Sequence, residues 1–335
     1  MSLANVILNV ILPVEKSFVS IKHTYKRKVD MTLITPNNTA IIMTAFDRPD
    51  YLRKTLASYD KLKGFKDYDF YAYIDGPYDE RTKKECQKSI EILLAYDHPS
   101  KTIDTQAVNQ GIGPQIYRSK ECAFQKYDYV ISCVDDYIVA PYALKALQVG
   151  YEALMGQLST ELMFDLYYCS DDIINPEIGK TILHEVVPYQ HGAFYVMPKS
   201  VWLKISPYLK EFIEKFIEPN VKAGIGRPYK NRPNGKIRKW IADTLGCPLK
   251  KLLFDGTASD AIVDVACYKE KVRRFSTKVM HIECFGAVGE NCTSGFFEDS
   301  CYAKHKLYPY NEKKVLESLQ NPVIVDPNWT PQWFK

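Results

Sequence analysis

Apolar runs alternate with helical segments between residues 40 and 134, and this pattern constrains the fold more than any other feature. Strand-like runs lie at 40–45, 69–74 and 127–134, with a shorter one at 102–105. Between these runs, apolar residues recur at helical spacing. Because successive strand–helix units build a parallel sheet covered by helices, we predict an α/β fold with a mostly parallel, doubly wound sheet.

The alternation is less regular beyond residue 150. We expect helices at 143–158 and 206–217 and strands at 162–168 and 191–197. Residues 222–239 (KAGIGRPYKNRPNGKIRK) are rich in Gly, Pro and basic residues, which predicts a mobile loop and not a core element. This loop could close over a ligand, or it could be a solvated charged loop.

Composition excludes several classes of partner. The 44 basic and 40 acidic side chains give a net charge of +4, which is too weak to indicate nucleic acid or an acidic membrane. The nine cysteines include no C-x-x-C pair, so we expect reduced thiols and no zinc site. The apolar stretch at 6–14 is shorter than the ~20 residues of a membrane span and lacks signal-peptide features, so we expect a cytoplasmic protein without a transmembrane segment.

Polar residues follow three of the predicted strands directly. They are Phe46-Asp47-Arg48, Asp75-Gly76 and Asp135-Asp136. Ligands of open α/β sheets bind at the carboxyl ends of the strands, where the strand order reverses. We therefore expect these three groups to meet at one site.

Asp135 and Asp136 are the most specific feature of this predicted site. Two adjacent carboxylates at the end of a buried strand repel each other, and a bound cation is the simplest way to offset that cost. Hard oxygen ligands of this kind suit Mn²⁺ or Mg²⁺, which would also bridge to phosphate groups. The alternative is an Asp-Asp turn that caps the following helix.

The run YDYVISCVDDYIVAPYALKAL resembles the Glu-Asp-Asp strand end of GT-A glycosyltransferases, most closely N-acetylglucosaminyltransferase I and related bacterial enzymes. The resemblance implies a GT-A, Rossmann-like fold with a more irregular C-terminal region on the acceptor side. It also implies that Asp135 contacts the donor ribose and Asp136 the metal. Val134 stands where the family usually has Glu.

Other segments resemble the same family in the same order. TAFDRPDYLRKTL is similar to its first nucleotide loop and YIDGP to its second, which implies that Arg48 approaches the base and Asp75 reads uracil. The resemblance adds further donor-binding candidates, namely Thr44, Ala45, Ser119, Ser294 and Gly295. Ser119 replaces a His that assists nucleotide binding in N-acetylglucosaminyltransferase I.

Residues 256–297 resemble the family's C-terminal portion, in which an acidic residue opens a helix and acts as general base. This implies Asp260 as the base, with Asp264 one helical turn later as the reserve candidate. A helix N-terminal carboxylate without a catalytic role is the alternative for Asp260. His281 matches a His that completes the metal shell in many GT-A enzymes, although a structural His is as compatible with this position.

The resemblance divides the chain into four regions. These are an N-terminal extension (1–36), a nucleotide-sugar-binding region (37–190), an acceptor-binding and catalytic region (191–310) and a C-terminal tail (311–335). The implied function is a metal-dependent inverting transfer of a hexosyl or N-acetylhexosaminyl group from a nucleotide sugar, with UDP favoured, to a glycan or glycoconjugate. The alternatives are a sugar nucleotidyltransferase and a catalytically silent carbohydrate-binding relative.

Overall fold

Strands and helices alternate through most of the chain in the computed structural model, which describes residues 33–167, 184–188, 192–246, 258–288, 293–304, 306–307 and 309–325. The strands are β1 (Thr39–Ala45), β2 (Asp69–Ile74), β3 (Lys101–Thr105), β4 (Tyr129–Val134), β5 (Tyr137–Val139), β6 (Leu162–Asp165), β7 (Glu185–Pro188), β8 (Phe194–Pro198), β9 (Arg273–Thr277), β10 (Ile282–Cys284) and β11 (Val323–Ile324). The helices are α1 (Pro49–Tyr59), α2 (Glu80–Ala95), α3 (Ile112–Ala123), α4 (Ala143–Leu158), α5 (Lys199–Phe216), α6 (Glu218–Lys222), α7 (Asn234–Leu245), α8 (Ser259–Lys269), α9 (Ser294–Asp299) and α10 (Glu312–Leu319).

The main sheet has the strand order β3-β2-β1-β4-β8-β6-β9-β7-β11 among the described residues. β1 pairs in parallel with both β2 and β4, so the order of strands along the chain reverses between β1 and β4. The strands from β8 to β7 include antiparallel pairs. The predicted mostly parallel central sheet flanked by helices is confirmed, and its parallel half brings the carboxyl ends of β1, β2 and β4 to one edge, where open α/β sheets bind ligands.

Helices cover both faces of the sheet. Ile41 and Met43 of β1 belong to the apolar core under α1, α4 and α10, whereas Ala40 and Ile42 belong to the core under α3, α5, α7 and α8. Side chains of a strand alternate between faces, so a strand buried on both faces needs an unbroken apolar run. This requirement explains the apolar stretch in β1, whose residues are all buried.

Local sequence signals set the helix ends near the ligand-binding edge. Pro49 begins α1, where its missing N–H costs no hydrogen bond. The side chain of Asp79 accepts a hydrogen bond from Thr82 N at 2.6 Å, and the Thr82 hydroxyl completes the capping box that starts α2. Both helices therefore begin a few residues beyond the strands β1 and β2.

The prediction of one mobile loop over residues 222–239 is wrong for residues 234–239, which are helical. Helix α7 begins at Asn234 because Ile237, Trp240, Ile241 and Leu245 recur at helical spacing and are buried in the apolar core shared with α5 and α8. Only the residues between α6 and α7 form a turn-rich connection. Basic residues on the outer face of α7 conceal this apolar stripe in the sequence.

The C-terminal half shares the main sheet with the N-terminal half. β8 lies between β4 and β6, so the expected boundary at residue 190 falls between strands of a single sheet. In the expected tail, Val315 and Leu319 of α10 are buried, and β11 pairs with β7. No helix within the described residues is long and apolar enough to span a membrane.

Candidate active site

A pocket of about 470 Å³ opens at the carboxyl ends of β1, β2 and β4. Six of the predicted site residues line it, namely Thr44, Ala45, Arg48, Asp75, Asp135 and Asp136. The segments that follow the three strands therefore meet, as their common edge of a parallel sheet requires. The volume lies within the range of about 300–1,000 Å³ that is typical of small-molecule sites.

Arg48 joins the two adjacent carboxylates of this pocket. Its Nη1 lies 2.8 Å from Asp136 Oδ2, and its Nη2 donates a hydrogen bond to Asp135 Oδ1. The guanidinium also lies over the Tyr51 ring, 5.4 Å from the centroid. Since guanidinium groups bind carboxylates through paired N–H donors, Arg48 offsets the repulsion that was expected between the two aspartates.

Asp135 is the more deeply buried member of the pair. Its side chain is 3% exposed, against 16% for Asp136. Burial raises the pKa of Asp135 to about 6, the Arg48 cation opposes that rise, and the Asp136 charge adds to it. The second carboxylate oxygen of Asp135 is buried and has no hydrogen-bond partner among the described residues. Such an oxygen can accept a hydrogen bond from a ligand hydroxyl or coordinate a cation.

The pair provides the oxygen ligands that a hard divalent cation requires. Among the described residues, no cluster of three or more His, Cys, Asp or Glu side chains is placed to hold a metal. Mg²⁺ and related ions are commonly held by one or two carboxylates, with waters and substrate phosphates filling the other positions. Asp136 fits this arrangement as the carboxylate ligand, provided that Arg48 yields its contact with Asp136 Oδ2.

Asp75 is enclosed by hydrogen-bond donors, most of which come from the loop that enters α3. Its carboxylate accepts bonds from the backbone N–H groups of Gly76, Gln110 and Gly111 at 2.8, 2.9 and 2.7 Å. The side chains of Asn109 and Gln115 donate to it at 3.0 and 3.2 Å. Burial raises the pKa of Asp75, and these donors oppose the rise. The carboxylate therefore fastens the end of β2 to the loop that enters α3.

The two candidates for the general base occupy different environments. Asp260 is exposed in the first turn of α8, where its Oδ1 lies 3.3 Å from the Ser259 hydroxyl. Tyr229, which lines the pocket, bonds to that same serine, so Asp260 lies near the pocket rim. Asp264 is fully buried and forms an ion pair with Arg274 of β9. A carboxylate in that position faces the core and not the pocket.

Four other candidates also lie outside the pocket lining. The buried His281 stacks on His184, with 3.3 Å between the two Nε2 atoms, and burial holds its pKa well below the usual range. Ser119 is buried and donates to the Ile116 carbonyl oxygen at 3.1 Å. The exposed pair Ser294 and Gly295 opens α9, and the neighbouring residue Phe296 reaches the pocket.

Several pocket residues were not singled out from the sequence. Tyr78 follows the turn after β2, and Tyr302 lines the pocket from a C-terminal segment. Because Tyr78 lies only three residues beyond Asp75, its closeness to the end of β2 could have identified it as a pocket residue. Tyr302 lies far along the chain in a region without periodicity, so no local pattern indicates it.

No protein-family model matches the chain, and no curated protein matches it. Among solved structures, it is similar to 4-diphosphocytidyl-2C-methyl-D-erythritol synthase from Anaerococcus prevotii, at a TM-score of 0.39 and 10% identity, over 80% of this chain and 96% of that one. It is also similar to a mannosyltransferase from Pyrobaculum calidifontis in complex with GDP-Man and Mn²⁺, at a TM-score of 0.33 and 10% identity, over 52% of this chain and 50% of that one.

A third similar structure is glucosyl-3-phosphoglycerate synthase from Mycobacterium tuberculosis, in complex with Mn²⁺, UDP-glucose and phosphoglyceric acid. Its TM-score is 0.30 and its identity 12%, over 57% of this chain and 67% of that one. The chain thus spans about half of the mannosyltransferase and two thirds of the synthase. At TM-scores below 0.5 these likenesses carry no functional argument, and the predicted resemblance to N-acetylglucosaminyltransferase I stays a prediction.

Proposed function

We propose that this protein is a glycosyltransferase that moves a sugar from a nucleotide-sugar donor, a UDP-sugar by preference, to a hydroxyl group of a glycan or glycoconjugate. The observation that carries the proposal is the Asp135–Asp136 pair, which follows β4 and shares one pocket with the end of β1. That position is the point of reversal in the strand order, where open α/β sheets bind nucleotides.

Three groups of the pocket have proposed donor contacts. Asp135 binds the ribose hydroxyls through its unpartnered oxygen. Thr44 and Ala45 contact the nucleoside from the end of β1, and Arg48 approaches it from the start of α1. Mn²⁺ or Mg²⁺, held by Asp136, would neutralise charge on the departing diphosphate. Asp264, Ser119 and His281 have no proposed contact with substrate because each is fully buried away from the pocket lining.

Asp260 is the proposed general base. Its support is its exposed position at the start of α8, beside the Tyr229 and Ser259 pair at the pocket rim. The carboxylate accepts the proton of the acceptor hydroxyl while that oxygen bonds to the anomeric carbon. The bond from the anomeric carbon to the diphosphate oxygen breaks on the opposite face, and the electron pair leaves with the nucleotide. A single displacement of this kind inverts the anomeric configuration.

Thermal stabilisation by donors tests this proposal. UDP-, GDP- and CMP-sugars are added to the wild-type protein with and without Mn²⁺, and the midpoint of unfolding is measured. We expect a metal-dependent rise with one nucleotide class, since a ligand that binds only the folded state stabilises it. Asp136→Ala removes the metal-dependent part of the rise. Asp50→Asn is the matched control, because Asp50 is exposed in α1, forms an ion pair with Arg53 at 2.9 Å and lies outside the pocket lining.

Two results would contradict the proposal. One is a wild-type protein that no nucleotide sugar stabilises, and the other is a metal-dependent rise that survives in Asp136→Ala. Slow hydrolysis of the donor in the presence of Mn²⁺ separates a transferase from a silent carbohydrate-binding protein. Release of pyrophosphate from a nucleoside triphosphate and a sugar 1-phosphate would identify a nucleotidyltransferase instead.

A further inference from the structure

The connection between α6 and α7, residues 223–233, is an ordered wall of the pocket, and we call it the basic segment. Asn220 Nδ2 donates to the carbonyl oxygens of Pro228 and Asn231 at 3.0 and 3.2 Å. Asn231 Nδ2 donates in turn to the Gly226 carbonyl oxygen at 3.0 Å. These side-chain bonds satisfy backbone groups that a turn-rich segment leaves without partners. The basic segment therefore presents its side chains from a defined backbone.

Tyr229 fastens the basic segment to the body of the protein. The buried tyrosine hydroxyl accepts a bond from Ser259 N at 2.5 Å and donates to Ser259 Oγ at 3.1 Å. Its Cβ and ring lie against the start of α3, where a Cβ added to Gly111 would lie 2.4 Å from Tyr229 Cβ. At Gly113, an added Cβ would lie 3.1 Å from the tyrosine ring. Glycines at both positions form a socket for this side chain.

Two basic residues near Tyr229 line the pocket. Arg227 lies two positions before the tyrosine, and Lys230 directly follows it. Arg227 lies over the Tyr78 ring, with its Cζ 4.8 Å from the centroid. Its backbone is left-handed, with φ of +58°, although it is not a glycine. Such a conformation is unfavourable for a side chain with a Cβ and persists where the surroundings fix it, often at ligand-binding sites. The fold thus holds Arg227 against the pocket at a conformational cost.

The acidic side chains of the same pocket already have partners. Asp47 pairs with Arg81 at 3.0 Å, and Asp75 accepts the donors around α3. Asp135 and Asp136 share Arg48. Among the described residues, the lining thus combines four carboxylates with three cations, and Arg227 and Lys230 place two of those positive charges on one wall of the pocket.

We propose that the basic segment is a phosphate subsite, in which Arg227 and Lys230 bind the diphosphate of a nucleotide ligand. This proposal rests on the proposed function only for the identity of the ligand, because the anion subsite itself follows from the basic segment. The planar guanidinium of Arg227 can donate two N–H bonds to one phosphate, and the Lys230 ammonium acts as a point charge on the other. The subsite is distinct from the Asp135–Asp136 pair and requires no metal.

Inorganic pyrophosphate is the probe for this subsite, because it carries the diphosphate without a nucleoside. Its binding to the full chain is measured by calorimetry in metal-free buffer with a chelator, beside UDP and uridine. We test Arg227→Asn, which removes the charge but tolerates left-handed backbone, and Lys230→Gln. Lys222→Gln is the control, since Lys222 ends α6, pairs with Glu218 at 2.8 Å and lies outside the pocket lining.

We expect each pocket variant to bind pyrophosphate about tenfold more weakly than the wild type, and the control to bind within about twofold. Uridine affinity stays the same in all four proteins. If the wild type binds pyrophosphate and both variants bind it equally well, the subsite is wrong. If UDP binds but pyrophosphate does not, the subsite is also wrong, while the nucleotide-binding function survives. If pyrophosphate binds through Arg227 and Lys230 but no nucleotide does, the subsite stands and the proposed function falls.

Discussion

Asp75→Asn separates two roles for a carboxylate that the resemblance assigns to uracil recognition. In the structure, Asp75 Oδ2 accepts bonds from Gly111 N at 2.7 Å and from the Asn109 side chain at 3.0 Å. Asparagine has the same shape but can present only one acceptor oxygen. Its Nδ2 would face either those two donors or the three donors on Oδ1. At least two hydrogen bonds are therefore lost in either orientation of the amide.

The cost follows from the number of bonds and from their burial. A hydrogen bond to a charged group contributes about 1.5–3 kcal/mol, and a buried donor left without a partner adds its own desolvation penalty. Two lost bonds at a side chain that is 6% exposed give an expected loss of about 3–5 kcal/mol in the free energy of unfolding. This is a large fraction of the roughly 5–15 kcal/mol that stabilises a typical domain.

Denaturant unfolding measures this loss, with Asp104→Asn as the control. Asp104 lies on the neighbouring strand β3 and pairs with Arg118, but it is partly exposed, so its loss costs at most about 1 kcal/mol. Nucleotide affinity is measured in parallel at a temperature where each variant is folded. A loss below about 1 kcal/mol in Asp75→Asn, together with weaker binding of UDP, would refute the structural role and favour direct uracil recognition.

Three further predictions concern the pocket and the core behind it. Arg48→Gln leaves the buried charge of Asp135 without its cation, so we expect a loss of about 3 kcal/mol in unfolding free energy, which Mn²⁺ partly restores. Gly286→Ala places a Cβ 2.3 Å from Asp136 Oδ2, and we expect thermal-shift assays to show weaker stabilisation by Mn²⁺. Burial lowers the pKa of His184 to about 4, below its unfolded value, so stability is fully present above pH 6.5 and falls towards pH 4. Between pH 7 and pH 5, urea unfolding should show that His184→Leu reduces the loss of stability by about 2 kcal/mol, while His281, whose pKa burial also lowers, keeps its own contribution.

The parallel half of the sheet was predictable because its signals are local. The strand expected at 69–74 and the helix expected at 143–158 have those bounds in the structure. Each follows from a short apolar or periodic run, and neither depends on distant residues. The shared position of Arg48 and Asp135 in one pocket also follows, since parallel strands deliver their carboxyl ends to one edge.

The partners of individual side chains were not predictable, because they depend on how separate elements pack against each other. Asp264 meets Arg274 only because β9 lies beside the helix that carries Asp264. His281 meets His184 across a separation of 97 residues. In both cases the chemical type of a residue suggested function, while its burial beside a partner from another element indicates a structural role. The periodicity of the sequence does not indicate such a partner.

The pairing of Arg48 with both carboxylates changes how the cation requirement of this pocket should be understood. The sequence indicates that Asp135 and Asp136 need a positive charge, and Arg48 supplies one in the structure. A divalent cation must therefore compete with a guanidinium that is already tethered to the fold. Because a nucleotide diphosphate brings further negative charge, it would favour a metal at Asp136 over the contact of Asp136 with Arg48. Metal and nucleotide are then expected to bind with positive coupling, each raising the affinity for the other by the same factor.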